Sequence, residues 1–208
     1  NLSTRRIVGL CNKQLLKGAQ KKGRNWIIPK ETVLAYGGKN VKENNSALSR
    51  VIATYDWAYS SNHKPADHLI KYWEVLIGDW HKPWNRELDA ELSKKEKRNL
   101  KGLAWAEQPQ TINEVGSTFT IQGFDLNYAG VILGPSVKYR HGKIVFDPSE
   151  SHNEKAVRNR TLLDGSKKKF GETLIQHEVR VLMTRGVNGM YIYACDPELQ
   201  KALKNAAK

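Results

Sequence analysis

Two stretches of this chain combine residue types that recognise phosphate and sugar groups. The first runs Thr118-Phe119-Thr120-Ile121-Gln122-Gly123-Phe124-Asp125 and leads into the apolar run Leu126 to Leu133. A Gln-Gly turn at the end of a strand exposes backbone N–H groups, and its glycine lets a ligand approach closely. Asp125 beside it can accept hydrogen bonds from a sugar hydroxyl. A purely structural turn would use the same residues. The second stretch, Glu178 to Tyr193, is an apolar helical pattern ending in Thr184-Arg185-Gly186 and then a strand-like run. An arginine there carries a permanent charge and a planar fork of donors matched to phosphate oxygens. The alternative for Arg185 is a helix C-terminal cation favoured by the macrodipole. Arg180, earlier on the same helix, reads either as a second polar contact or as a structural ion pair. His177 reads as a surface or packing residue.

The elements that must position these residues follow from periodicity. Strands are expected at Arg6–Cys11, Trp26–Ile28, Glu74–Asp79, Val115–Thr120, Gly130–Pro135 and Met190–Cys195, the last one buried. Leu48, Val51, Ile52 and Tyr55 fall at helical spacing, so residues 46–59 predict a helix with Ser46 as N-cap. The proline-broken aromatic stretch Trp80–Asn85 predicts a loop, and Gly142–Asp147 a hairpin arm pairing with Val137–Tyr139. Glu172–Arg185 predicts the best-defined helix, with Leu174, Ile175, Val179, Leu182 and Met183 on one face and Gly186 and Gly189 closing its end. Asp196-Pro197 supplies the N-cap and first position of a last helix. Strands alternating with helices predict an α/β layer fold with a mostly parallel sheet. The whole of 1–208 reads as a single domain, with a basic irregular region over about 12–70 and a charged insertion over about 86–102.

Composition narrows the function classes. The 208 residues are 39% hydrophobic and 26% charged, a globular balance rather than a disordered one. No apolar run approaches the roughly 20 residues that span a bilayer. The start at Asn1 leads directly into basic sequence rather than a signal peptide, which predicts an excised piece of a longer cytoplasmic protein. Cys11 and Cys195 are expected to be reduced, small apolar residues, and the histidines show no zinc-ligand spacing. The net charge is +13, and residues 1–50, with eleven Lys/Arg against two Glu, hold much of the excess. Further basic clusters lie at Lys94, Lys95, Lys97, Arg98, Lys101 and at Arg158, Arg160, Lys167, Lys168, Lys169. Each alone reads as a solvated face; together they favour a phosphate-backbone partner, bound without sequence preference.

The first stretch resembles motif V of superfamily-one helicases: a polar residue, Gly, an apolar residue and an acid before a hydrophobic strand. Asp125 stands where that family usually has Glu. The second resembles motif VI, an apolar helix ending in Thr-Arg, then a turn and a strand. Val75 to Asn85, Leu103 to Ala106, Ile112 to Gly116, both motifs, and Val137 to Lys143 also run in the order of the Schlafen group-three-like DNA/RNA helicase domain family of bacteria. The resemblance covers about Arg6 to Leu203 and is weakest over 12–70 and 150–170.

That resemblance implies a RecA-like three-layer domain, its central sheet flanked by helices, acting as the C-terminal half of an ATP-dependent DNA/RNA helicase or translocase. It makes Arg185 the catalytic arginine finger. Gln122, Gly123, Asp125, Thr184 and Arg180 become nucleotide contacts, and Thr118, Thr120, Trp84 and Lys82 nucleic-acid contacts. The Trp-rich stretches at 80–85 and 105 read either as core or as stacking surfaces. A Gly-x-x-x-x-Gly-Lys-Ser/Thr phosphate loop is lacking, since Gly37-Gly38-Lys39-Asn40 has neither the spacing nor the hydroxyl. ATP and Mg²⁺ would therefore be held with an upstream RecA-like domain of the same chain, and this portion alone would be inactive. The alternative is a nucleic-acid-binding module with a degenerate helicase fold and no motor activity. A metal-dependent nuclease built on Asp79, Glu87, Asp89 and Glu91 is the weakest rival, and no metal site is expected.

Overall fold

The computed structural model describes residues 20–22, 25–27, 48–66 and 70–207. Its centre is a four-stranded sheet in the order β12-β7-β3-β6, every neighbouring pair parallel. The strands are β3 (Arg50–Ala53), β6 (Val115–Gly116), β7 (Leu126–Leu133) and β12 (Gly186–Ala194). Around it lie four two-stranded antiparallel pairs: β1 (Gln20–Lys22) with β2 (Asn25–Ile27), β4 (Glu74–Ile77) with β5 (Trp80–Pro83), β8 (Val137–Arg140) with β9 (Lys143–Phe146), and β10 (Arg160–Thr161) with β11 (Lys167–Lys168). The α-helices are α1 (Lys94–Asn99), α2 (Thr118–Ile121), α3 (Glu154–Val157), α4 (Gly171–Met183) and α5 (Pro197–Ala206).

The period-2 alternation of β3 and β7 divides the core in two. Ile52, Ala129, Val131 and Leu133 face α4 and α5, where they meet Ile175, Leu182 and Leu199. Ala53, Val115 and Ile132 face the other way, onto Val75 and Trp84. Among the described residues no helical one takes part in that second cluster; aromatic side chains from the 55–84 region fill it instead. The expected α/β fold with a mostly parallel central sheet is present. Its flanking helices cover one face among the described residues, and a hairpin with bulky Trp and Tyr side chains packs the other.

Several expectations are corrected. Residues 50–53 form a central strand rather than part of a helix over 46–59: Val51 and Ile52 are β-branched, and pairing on both edges outweighs the coincidental 3–4 spacing. Ser46 lies outside the described residues, as does the Arg6–Cys11 strand. Trp80–Pro83 is the second strand of a hairpin turned at Gly78, not a loop, because its proline takes the last position. The strand beginning at Val115 stops at Gly116, where Ser117 caps α2 by accepting from the Phe119 N–H. Gly186 opens β12 just after α4 and Gly189 lies within that strand, at a register shift against β7, and neither takes the left-handed conformation of a helix-closing glycine. That strand is the sheet edge among the described residues, with Tyr191 and Tyr193 exposed, not a buried strand. The 86–102 stretch is helical surface, with a 3-10 turn at Glu87–Glu91 followed by α1. Asp196 does cap α5, accepting from the Leu199 N–H at 2.9 Å, with Pro197 at the first position. The Val137–Arg140 and Lys143–Phe146 hairpin also forms.

Candidate functional site

Arg185 follows α4 and leads into β12, and the Gln122–Asp125 turn leads into β7. Because β7 and β12 are parallel neighbours paired Leu126 to Gly186, the two segments meet at the N-terminal ends of those strands. The Leu126 N–H donates to the Arg185 carbonyl at 2.8 Å, and the Arg185 guanidinium pairs with Asp125 at 3.1 Å. Further donations from that guanidinium reach the carbonyls of Val181 and Phe124 and the Thr184 hydroxyl. Gly123 turns at φ 79, the left-handed region that only glycine enters freely. Gln122, Gly123, Thr184 and Arg180 are exposed around this pair, while Arg185 and Asp125 are half-buried. The donor set consists of a guanidinium, hydroxyls and an exposed glycine turn, which suits phosphate and sugar oxygens more than a metal ion.

A second group lies at the opposite, C-terminal ends of β3 and β6. Both threonine hydroxyls expected to contact nucleic acid are engaged inside the protein: Thr118 donates to Glu178 at 3.4 Å, and Thr120 bonds Ser117 in the α2 cap. Phe119, between them, is 58% exposed and meets the Tyr55 ring edge-on at 5.3 Å. Sequence reasoning missed Phe119. Its one signal was an aromatic flanked by two capping hydroxyls, which a short helix turns outward.

Beneath it sits a carboxylate pair that sequence reasoning also missed. Glu178 accepts from the Tyr55 N–H at 3.0 Å, and burial pushes its carboxyl up to about 8, with the nearby Asp56 charge adding to the shift. Asp56 is raised by burial as well, against hydrogen bonds from Ser136 and Thr54 that pull it down. One oxygen of each, Asp56 Oδ1 and Glu178 Oε2, is buried without a hydrogen-bond partner. Asp56 Oδ2 accepts from the Thr54 hydroxyl and the Ser136 N–H, and a Cβ on Gly134 would stand 2.4 Å from it. Only glycine fits there.

Trp84 is fully buried among Tyr55, Trp57, Val75 and Val115, so it presents no face to a base. Lys82 is half-buried on β5. Trp105 is core, its indole donating to Glu114 at 3.0 Å. The basic clusters on α1 and the β10–β11 hairpin are exposed. Of the acids weighed for a nuclease, Glu87 accepts from the Trp73 N–H, Asp89 pairs with Arg86, and Glu91 bonds Lys71 and Tyr72. Each is committed to local structure. Cys195 is a free thiol, pushed up to about 11 by burial in the aromatic cluster; Cys11 lies outside the described residues.

Comparisons with known proteins identify the family of the chain. The family model of the Schlafen group 3, DNA/RNA helicase domain matches residues 35–196, a span that contains both ends of the sheet just described. The uncharacterized protein YPL245W of Saccharomyces cerevisiae is 35% identical over 169 residues, which is 80% of this chain and 34% of that protein. The chain thus spans about a third of the length of the curated relative it matches. No solved structure matches it. With most of its length matched, this chain belongs to the Schlafen group 3, DNA/RNA helicase domain family.

Proposed function

We propose that this chain is the second motor domain of an ATP-dependent DNA/RNA helicase or translocase, of RecA-like, superfamily-one type. The observation that carries the reading is the meeting of Arg185 with Asp125, two residues far apart in sequence that the parallel pairing of β7 and β12 brings to 3.1 Å. A nucleotide seated against this end is held by the exposed Gln122–Gly123 turn, Thr184 and Arg180. Asp125 keeps the Arg185 guanidinium oriented at the cleft edge until phosphate oxygens replace the carboxylate. The phosphate loop and the Mg²⁺ ligands belong to an upstream RecA-like domain, and ATP bound between the two supplies the phosphoanhydride. An arginine so placed raises turnover by roughly 10³–10⁵-fold when the rest of the site is present. The turn continues through α2 to Thr118 and Phe119, so nucleotide state at one end of the sheet is linked to nucleic acid at the other.

One observation favours a second reading, a nucleic-acid-binding module without motor activity: Arg185 is already satisfied by groups of its own domain. ATP hydrolysis with and without single-stranded nucleic acid separates the two. The protein carrying the upstream half is compared with its Arg185→Ala form, and this chain alone serves as control. Strand-stimulated turnover that collapses by two or more orders of magnitude in Arg185→Ala supports the motor. Turnover indifferent to the substitution sinks it and leaves the binding module.

A further inference from the structure

The segment joining α3 to α4 forms an arm whose residues, from Arg158 to Lys169, are all exposed. Its two strands pair only over Arg160–Thr161 and Lys167–Lys168, so little holds them together and local opening is easy. The turn is nevertheless well built. The Leu162 N–H donates to the Ser166 carbonyl at 2.8 Å, Gly165 takes φ 79, and Asp164 accepts from both the N–H and the hydroxyl of Ser166. Leu163 is held wholly in water at the tip, with Leu162 partly exposed beside it. Apolar surface kept in water gains nothing for folding, so these leucines are available to a partner. The arm carries two hydroxyls. That of Ser166 is committed to Asp164 at 2.7 Å, whereas that of Thr161 bonds no group among the described residues. Arg158 and Arg160 stand three and one residues before Thr161, and Leu162 and Leu163 follow it. Neither arginine is ion-paired among the described residues, and Arg160 donates only to the Lys155 carbonyl.

We propose that Thr161 is a phosphorylation site, the acceptor for an arginine-directed serine/threonine protein kinase using ATP and Mg²⁺. Such an enzyme needs an extended, accessible segment, a free hydroxyl, and charges that pair with its own carboxylates. The arm supplies all three: β10 is extended, Thr161 is unengaged, and Arg158 and Arg160 are free to pair, with Leu162 and Leu163 offered to an apolar pocket. In the transfer the Thr161 oxygen bonds to the γ-phosphorus, the bond from that phosphorus to the β-phosphate oxygen breaks, and ADP leaves. The hydroxyl proton passes to the kinase's catalytic carboxylate. The product phosphate lies across the hairpin from Lys167, the Cα partner of Thr161. Arg158, Arg160, Lys167, Lys168 and Lys169 stand against Asp164 alone on the arm, and a phosphate of about −1.5 to −2 charge offsets roughly half of that net charge. Phosphorylation therefore weakens whatever grip the arm has on a polyanion. The assignment of the acceptor does not depend on the helicase reading.

The test is incubation of the full chain with the catalytic subunit of cyclic-AMP-dependent protein kinase, an arginine-directed enzyme, and γ-labelled ATP. Peptide mass spectrometry then locates the label. A single phosphate on Thr161 is expected, retained in Thr161→Ser and lost in Thr161→Val. Replacing Arg158 and Arg160 with Ala should lower kcat/KM by about tenfold or more, the scale of one lost charge-assisted hydrogen bond. Ser166→Ala should be labelled as the wild type is. All these positions are exposed, and thermal melts establish that the variants fold. The labelled chain should leave immobilised heparin at lower salt than the unlabelled one, while kinase-treated Thr161→Val should not shift. Absence of labelling, labelling that persists in Thr161→Val, or phosphate found on Ser166 instead overturns the acceptor assignment. Labelling indifferent to both arginines overturns the arginine-directed recognition. An unchanged elution salt for the labelled chain overturns the effect on polyanion binding. None of these outcomes bears on nucleotide hydrolysis, which the Arg185→Ala comparison decides separately.

Discussion

At the residue scale, the buried carboxylates define how the molecule responds to pH. Glu178 has its carboxyl pushed up to about 8 from an ordinary value of 4.5, so between those values the folded protein holds a proton that the unfolded chain has released. The unfolded state then binds fewer protons, and stability falls as pH rises through that window; Asp56, also raised, acts with the same sign. Glu178→Gln keeps an acceptor oxygen for the Tyr55 N–H and removes the charge. Urea unfolding at about pH 6 and about pH 9 should show the wild type losing on the order of a few kcal/mol while Glu178→Gln stays nearly flat. An equal loss in both proteins would show that Glu178 does not titrate in this way. Glu178 bonds both Tyr55 and Thr118, so this proton also sits where the chain after β3 meets the start of α2.

At the element scale, Glu114 is the tie between the charged 86–102 surface and the sheet. It is 1% exposed, accepting from the Leu88 N–H at 2.7 Å and the Trp105 indole at 3.0 Å just before β6 begins. Removing it leaves the buried Trp105 indole and the part-buried Leu88 N–H without an acceptor, and a stranded buried donor costs about 1–3 kcal/mol, so Glu114→Ala should lower unfolding stability by about 1–4 kcal/mol in urea titrations. Glu114→Gln, which retains one acceptor, should recover part of that. A loss within about 0.5 kcal/mol, the range of ordinary surface substitutions, would refute the tie. Arg50 plays the matching part on β3, donating to Thr111 at 2.8 Å and to the Gln108 carbonyl at 3.1 Å. Together the two hold the 3-10 turns around Trp105 and Pro109–Asn113 against the strand ends.

At the scale of the whole molecule, the +13 charge implies salt-dependent association with a polyanion. Lys94, Lys95, Lys97 and Arg98 are all exposed on α1, whose capping box at Ser93 and Glu96 keeps its backbone in place. Replacing these four with Gln should reduce the slope of log Kobs against log salt by roughly 0.7 for each phosphate of a single strand that is no longer neutralised. An unchanged slope would place α1 outside the strand path and leave the exposed β10–β11 cluster as the remaining test.

Local chemistry and strong periodicity control what is readable from the chain alone. The amphipathic run of α4, the Asp196-Pro197 start of α5 and the β8–β9 hairpin are all legible, because each is specified by residues within a few positions of one another. Long-range pairing controls the rest, and it emerges only in the folded protein. β3 reads as a helix because its neighbours β6 and β7, which make it a central strand, lie more than sixty residues away in sequence. Trp84 reads as a candidate stacking surface until the second face of the sheet buries it, and Phe119 gives little signal until α2 turns it outward. Asp56 and Glu178 are ordinary acids in sequence, and only folding takes both out of water side by side and raises their carboxyls. Burial and strand order are properties of the assembled sheet, so no window of the chain contains them.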